Sequence, residues 1–142
     1  EQSGQKMPLF ATPPSPLVRQ RIKANVQTGV NVIDAFCPLG YGQRMGIFAP
    51  AGVGKSTLLG KLANFTDVDV VVAALIGERG REVKDFLEGA LNQGGLKRSV
   101  VVVATADETP MRRWLAPHTA TAIAEYFREQ GLRVLLLVDS LT

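Results

Sequence analysis

"QRMGIFAPAGVGKSTLLGKLANF" (residues 43–65) is the stretch on which the fold turns. Residues 43–49 read as a strand, and residues 55–65 as a helix with Leu58, Leu59, Leu62 and Phe65 at helical spacing. Between them, "APAGVGKST" (49–57) follows the phosphate-loop pattern G-x-x-x-x-G-K-[ST], with Ala49 where the first glycine would stand. The departure is tolerable, because the amides that must curl around a phosphate belong to the later residues, Ala51, Gly52, Val53 and Gly54. Gly52 and Gly54 permit dihedrals and a close approach that a β-carbon would obstruct. Ala49 ends the strand at negative φ, and Pro50 stiffens the entry without removing a needed amide. A helix starting near Lys55 aims free N–H groups and the positive end of its dipole at an anion. In this reading Lys55 reaches the β- and γ-phosphates of ATP, Ser56 ligates Mg²⁺ and Thr57 bonds the α-phosphate. An ordinary Gly-rich turn with a solvated lysine leaves the Lys-Ser spacing unexplained.

Outward from this loop the pattern alternates. Residues 68–76 form a continuously apolar strand, 81–91 an amphipathic helix, 99–105 a second buried strand, 117–131 a helix and 133–139 a last strand. Pro117 is taken as the first turn of its helix and Gly131 as the stop. Strand–helix alternation with β-branched strands implies an α/β fold, a mostly parallel sheet with helices on both faces. Ligands then sit at the C-terminal ends of the strands.

Two acids arrive at that edge. Asp139 closes the apolar run 134–138 and stands where the second Mg²⁺ contact of a phosphate-loop enzyme belongs. Glu78 follows the strand 68–76 within "IGERGREV" (76–83), where a carboxylate can orient or deprotonate the attacking water. Arg79 beside it can stabilise phosphate charge or hold Glu78 in place. Charge-rich surface loops are common, and the assignment of Glu78 rests on the phosphate loop upstream.

Composition bounds the alternatives. With 46% apolar and 20% charged residues, the 142-residue chain has enough core for one globular domain. No apolar run approaches the length of a bilayer span, and a lone Cys37 excludes an internal disulfide and fits the cytoplasm. The pI near 9.3 arises in residues 1–24, where Lys6, Arg19, Arg21 and Lys23 face only Glu1; from Asn25 onward the charges balance. A neutral body with a basic leading arm argues against nucleic acid. Residues 1–18, rich in Pro, Ser and Gln, read as an extended connector. Cys37 is expected in the core, Trp114 in packing or a subunit contact, and His118 near a helix start without a metal role.

The stretches "TGVNVIDAFCPLGYGQRMGIFAPAGVGKSTLLGKLA", "GERGREV", "DETPMRR" and "TATAIAEYFREQGLRVLLLVDSLT" together resemble the type III protein-export ATPases of injectisomes and flagella, cousins of the catalytic β subunit of F-type ATP synthases. Gly80 in "GERGRE" is more similar to the export branch. The resemblance implies a RecA-like P-loop NTPase, incomplete at its C-terminus, with residues 1–24 as a linker from a preceding domain and 25–142 as the front part of the ATP-binding domain. It implies Mg²⁺-dependent ATP hydrolysis powering protein export, with Lys55 and Ser56 on phosphate and metal, Glu78 catalytic, Arg79 its phosphate-side neighbour and Asp139 the Walker B acid. It further implies a homo-hexameric ring that meets secretion-apparatus proteins and cargo at the cytoplasmic membrane face, with little turnover by an isolated fragment lacking the arginine finger. Alternatives are a subunit of a proton-translocating ATP synthase, a non-catalytic ring subunit, which Glu78 disfavours, and an RNA-dependent motor, which the charge balance disfavours. Leu115 departs from the basic residue the family usually carries there.

Overall fold

The computed structural model describes residues 6–50 and 52–140. Two short strands, β1 (Asn25–Val26) and β2 (Leu39–Gly40), pair antiparallel around helix α1 (Asn31–Phe36). Helix α2 (Lys55–Phe65) follows, then β3 (Val70–Ile76), α3 (Gly80–Asp85), a π-helical turn (Phe86–Ala90) and α4 (Gln93–Lys97). The chain continues through β4 (Ser99–Ala104), the long helix α5 (Pro110–Glu129) and β5 (Val134–Asp139).

The larger sheet has three parallel strands in the order β4-β3-β5. β3 is central and reads as an unbroken apolar run because both of its faces are covered. Val71, Ala73 and Leu75 point to one face, where Leu59, Leu62 and Ala63 of α2 and Val83 and Phe86 of the α3 region complete a core. Val72 and Ala74 point to the other, against Ala120 and Ala124 of α5. Ala116, Ala120 and Ala124 recur every four residues, and their small side chains bring α5 close to the sheet. An α/β fold with a parallel sheet and helices on both faces is therefore what the alternation produces.

The chain leaves β3 toward β4 and returns on the opposite side of β3 as β5, so the strand order reverses at the β3–β5 boundary. Crevices at such reversals, beyond the carboxyl ends of the strands, are where open α/β sheets take ligands.

Four expectations are corrected. Residues 43–49 form no strand: among the described residues they join no ladder, and Phe48 is 97% exposed, although Ile47 packs against the core. An apolar run becomes a strand only where a neighbouring backbone accepts its hydrogen bonds, and among the described residues β5 pairs only with β3. Helix α5 begins at Pro110, not Pro117, because the Thr109 hydroxyl accepts from the Arg112 amide as N-cap and Pro110 fills the first turn. Pro117 lies inside the helix, where its carbonyl accepts from the Thr121 hydroxyl at 2.8 Å. The helix read at 81–91 is α-helical only to Asp85 and finishes in the π turn. Its end is fixed by α2: a β-carbon on Gly60 would lie 2.6 Å from that of Ala90, so the two segments meet nearly backbone to backbone. Cys37 is exposed, at the C-cap of α1.

Two arginines tie the layers together. The Arg98 guanidinium donates to the carbonyls of Ala63 and Asn64 at the end of α2, both at 2.9 Å, and to that of Val68 at 2.8 Å. At the foot of the sheet, Arg133 donates to Asp67, Asp69 and the Tyr41 hydroxyl, which itself donates to the Asp67 carbonyl. On the flank of α5, the rings of Phe10, Trp114 and His118 cluster with centroids 4.9–5.6 Å apart, so Trp114 does serve packing, against the leading arm.

Candidate functional site

Gly54 caps α2 from the left-handed region at φ +97°, and Gly52 sits at φ +81°. Side chains rarely adopt that backbone, and nothing lies within 4 Å of where either β-carbon would be. The space is open, as a cradle approached by a ligand must be. Ala51 lies outside the described residues; Val53 is 61% exposed at the rim. Lys55, Ser56 and Thr57 form the first turn of α2, whose amides have no partner within the helix.

The Lys55 ammonium lies 2.6 Å from Asp139 Oδ1, at the tip of β5. The Asp139 side chain is 8% exposed and that of Lys55 31%. A carboxylate so buried requires a cation, and here the lysine is that cation. Its hydrogen bond to Asp139 holds Lys55 above the ordinary lysine range, with the charges of Asp139, Glu78 and Glu82 adding to it.

Glu78 follows β3 on the same edge and is half-buried. Its pKa is pushed up to about 7, first by a carboxyl–carboxyl hydrogen bond with Glu82, then by burial and the charge of Asp139. Glu82 is correspondingly held low by the same bond, helped by Arg79 and Arg81. Glu82 was not singled out from the sequence. Its signal was present in the spacing: four residues after Glu78, it enters the first turn of α3 and faces back. Arg79 caps α3, its carbonyl accepting from Glu82 and Val83, and its charge acts on Glu82.

Beside the loop, Ser56 and Thr57 line a cavity of about 400 Å³ with Lys61, Glu82, Asp85 and Phe86. The structure thus brings Lys55, Asp139 and Glu78 into one charge network at the strand-order reversal, with the glycine cradle at the head of α2 opening beside them. An ammonium, two acids and a first helical turn of amides without a helical partner make a site able to bind a polyanion and handle a proton.

Known proteins share this arrangement of sequence. The chain is 56% identical over 136 residues to a type 3 secretion system ATPase of Xanthomonas euvesicatoria, covering 96% of this chain and 31% of that one. It is 59% identical over 128 residues to a flagellum-specific ATP synthase of Treponema pallidum, covering 90% and 29%. The fold superposes with a TM-score of 0.89 and 53% identity on the assembled ATPase EscN in complex with its central stalk EscO, from the enteropathogenic E. coli type III secretion system, covering 94% of this chain and 33% of that one. The chain spans about a third of the length of these relatives. Residues 29–142 match the nucleotide-binding domain of the ATP synthase alpha/beta family. With four-fifths of its length inside that match, the chain belongs to the ATP synthase alpha/beta family through its nucleotide-binding domain.

Proposed function

We propose that this chain carries the ATP-hydrolysing part of a protein-export motor, with its site at the loop 49–57 and the acids Glu78 and Asp139. The observation that carries it is the ion pair of Lys55 with Asp139 at the tip of the neighbouring sheet, beside a glycine cradle with room for phosphate. The amides of residues 51–54 and the Lys55 ammonium take the phosphate chain, and Thr57 sits where it can bond the phosphate nearest the sugar. Glu78 accepts a proton from the attacking water, for which a carboxyl titrating near 7 is suited. Arg79 steadies the acid pair through Glu82.

The residues present fit Mg²⁺. Among the described residues no group of three His, Cys, Asp or Glu forms a protein cage, and Mg²⁺ in phosphate sites is held by one or two protein oxygens, substrate phosphates and water. Ser56 and Asp139 would supply those oxygens, and the lysine now on Asp139 marks that acid as a cation site. Bound there, the ion would neutralise charge on the phosphates.

The names of the relatives support protein export as the work done, and the assembled state of EscN supports a ring of copies, which we propose as a homo-hexamer meeting secretion-apparatus proteins and cargo at the cytoplasmic face of the membrane. No helix among the described residues is long and apolar enough to cross a membrane. Residues 1–24 are proposed as a connector and 25–142 as the front of the RecA-like domain; from Lys6 to Ala24 the only regular structure is a single 3₁₀ turn at Pro16–Val18.

Lys55→Ala should weaken MgADP binding about 10–100-fold, the scale of losing charge-assisted hydrogen bonds to phosphate. Calorimetric titration of the intact chain checks this, and unchanged affinity would remove the loop from the site. A second expectation concerns acidity. Glu82→Ala removes the largest cause of the raised Glu78 pKa, so more of Glu78 is ionised at a given pH. The acid limb of kcat/KM, which reports the free enzyme, should move from near pH 7 to lower pH. A limb that stays in place, measured at saturating Mg²⁺, would separate Glu78 from the titration.

A further inference from the structure

We infer that Asp139 and Lys55 form a latch, in which the acid holds the lysine until a divalent cation takes its place, so that phosphate and metal enter the site as a coupled exchange. This rests on the nucleotide-site reading above. The two groups meet at 2.6 Å, and Asp139, with its side chain 8% exposed, has little water to replace the ammonium. A phosphate arriving without metal must draw Lys55 away and leave that carboxylate buried with no cation, which is costly. Arrival of phosphate together with a divalent cation leaves no such orphan: the cation pairs with the carboxylate and the ammonium pairs with the phosphate. Glu78 and Glu82 act on Lys55 through charge alone, and among the described residues its ion pair is with Asp139. Metal and nucleotide should therefore strengthen each other's binding by more than the charge of the metal on free phosphate would give, and by linkage the effect is reciprocal.

The test is calorimetry of ADP on the intact chain, with EDTA and with excess magnesium chloride. In Asp139→Asn, metal-free ADP should bind at least tenfold tighter than in the parent, and the gain from magnesium should shrink. Glu78→Gln at pH 8.5 removes a neighbouring negative charge without releasing Lys55, and should tighten metal-free ADP by less than threefold. Equal gains in the two variants, or none in Asp139→Asn, overturn the latch. Should Asp139→Asn not fold, Mn²⁺ binding without nucleotide, followed by electron paramagnetic resonance, decides: Lys55→Gln should bind the ion at least tenfold tighter than the parent, and equal affinity overturns the proposal. Absence of MgADP binding by the parent would instead overturn the nucleotide-site reading, with the Mn²⁺ comparison still deciding the latch.

Discussion

Glu78→Gln is expected to bind MgATP as tightly as the parent and to hydrolyse it about 10²–10⁴-fold more slowly, the range attributed to a positioned general base. The amide keeps the shape of the side chain and can still hydrogen-bond Glu82, but it cannot accept a proton. Lys55 and the glycine loop, which would carry most of the ground-state binding, keep their own partner in Asp139 and their own backbone. The loss should thus fall on kcat and leave KM nearly unmoved, the pattern of an interaction made only in the transition state. Phosphate release in a single turnover, beside a binding titration, separates the two. A variant that keeps more than a tenth of parental turnover would show that another group handles the proton.

Arg98→Ala should destabilise the chain by about 3 kcal/mol, a value set by hydrogen bonds from a charged donor to part-buried carbonyls. The guanidinium gathers the last carbonyls of α2, at Ala63 and Asn64, with the carbonyl of Val68 just before β3. Those acceptors have no partner within the helix, and the positive charge also suits the negative end of the helix dipole. Lysine cannot fork across three acceptors, so Arg98→Lys should recover only part of the loss. Urea unfolding measures both, and a change below about 1 kcal/mol would mean water satisfies the carbonyls as well as the arginine does. Since α2 begins with Lys55, the same three bonds tie the helix that carries Lys55 to the start of β3.

What could be read from the sequence was what local chemistry determines. Strands β3, β4 and β5 are apolar runs bounded by turns, and α2 carries its apolar residues on one face, so these elements lay within a residue or two of their expected bounds. Residues 43–49 have a strand's composition, but a strand also needs a neighbour, and composition does not name one. Pro117 and Pro110 each suit a first helical turn, and the Thr109 hydroxyl decides between them by capping the earlier one. Cys37 was placed inside because free cysteines usually are; on a six-residue helix at the edge of the fold there is no interior to enter. At the site, the loop motif and both acids were legible from spacing. The ion pair joining residues 55 and 139, and the bond from Glu82 that sets the proton affinity of Glu78, exist only once the strand order brings one sheet edge together.

Arg133 has a mechanical meaning. Its bonds to Asp67, Asp69 and Tyr41 moor the leading segment to the end of the sheet farthest from Glu78 and Asp139. Traction that reaches β1 and β2, beyond the packing of Phe10 on α5, would load this mooring, with Glu78 and Asp139 a full strand's length away. Force and the proposed chemistry would then meet the same three strands at opposite poles, and stiffness along β3 and β5 would govern how much of a pull reaches Glu78 and Asp139.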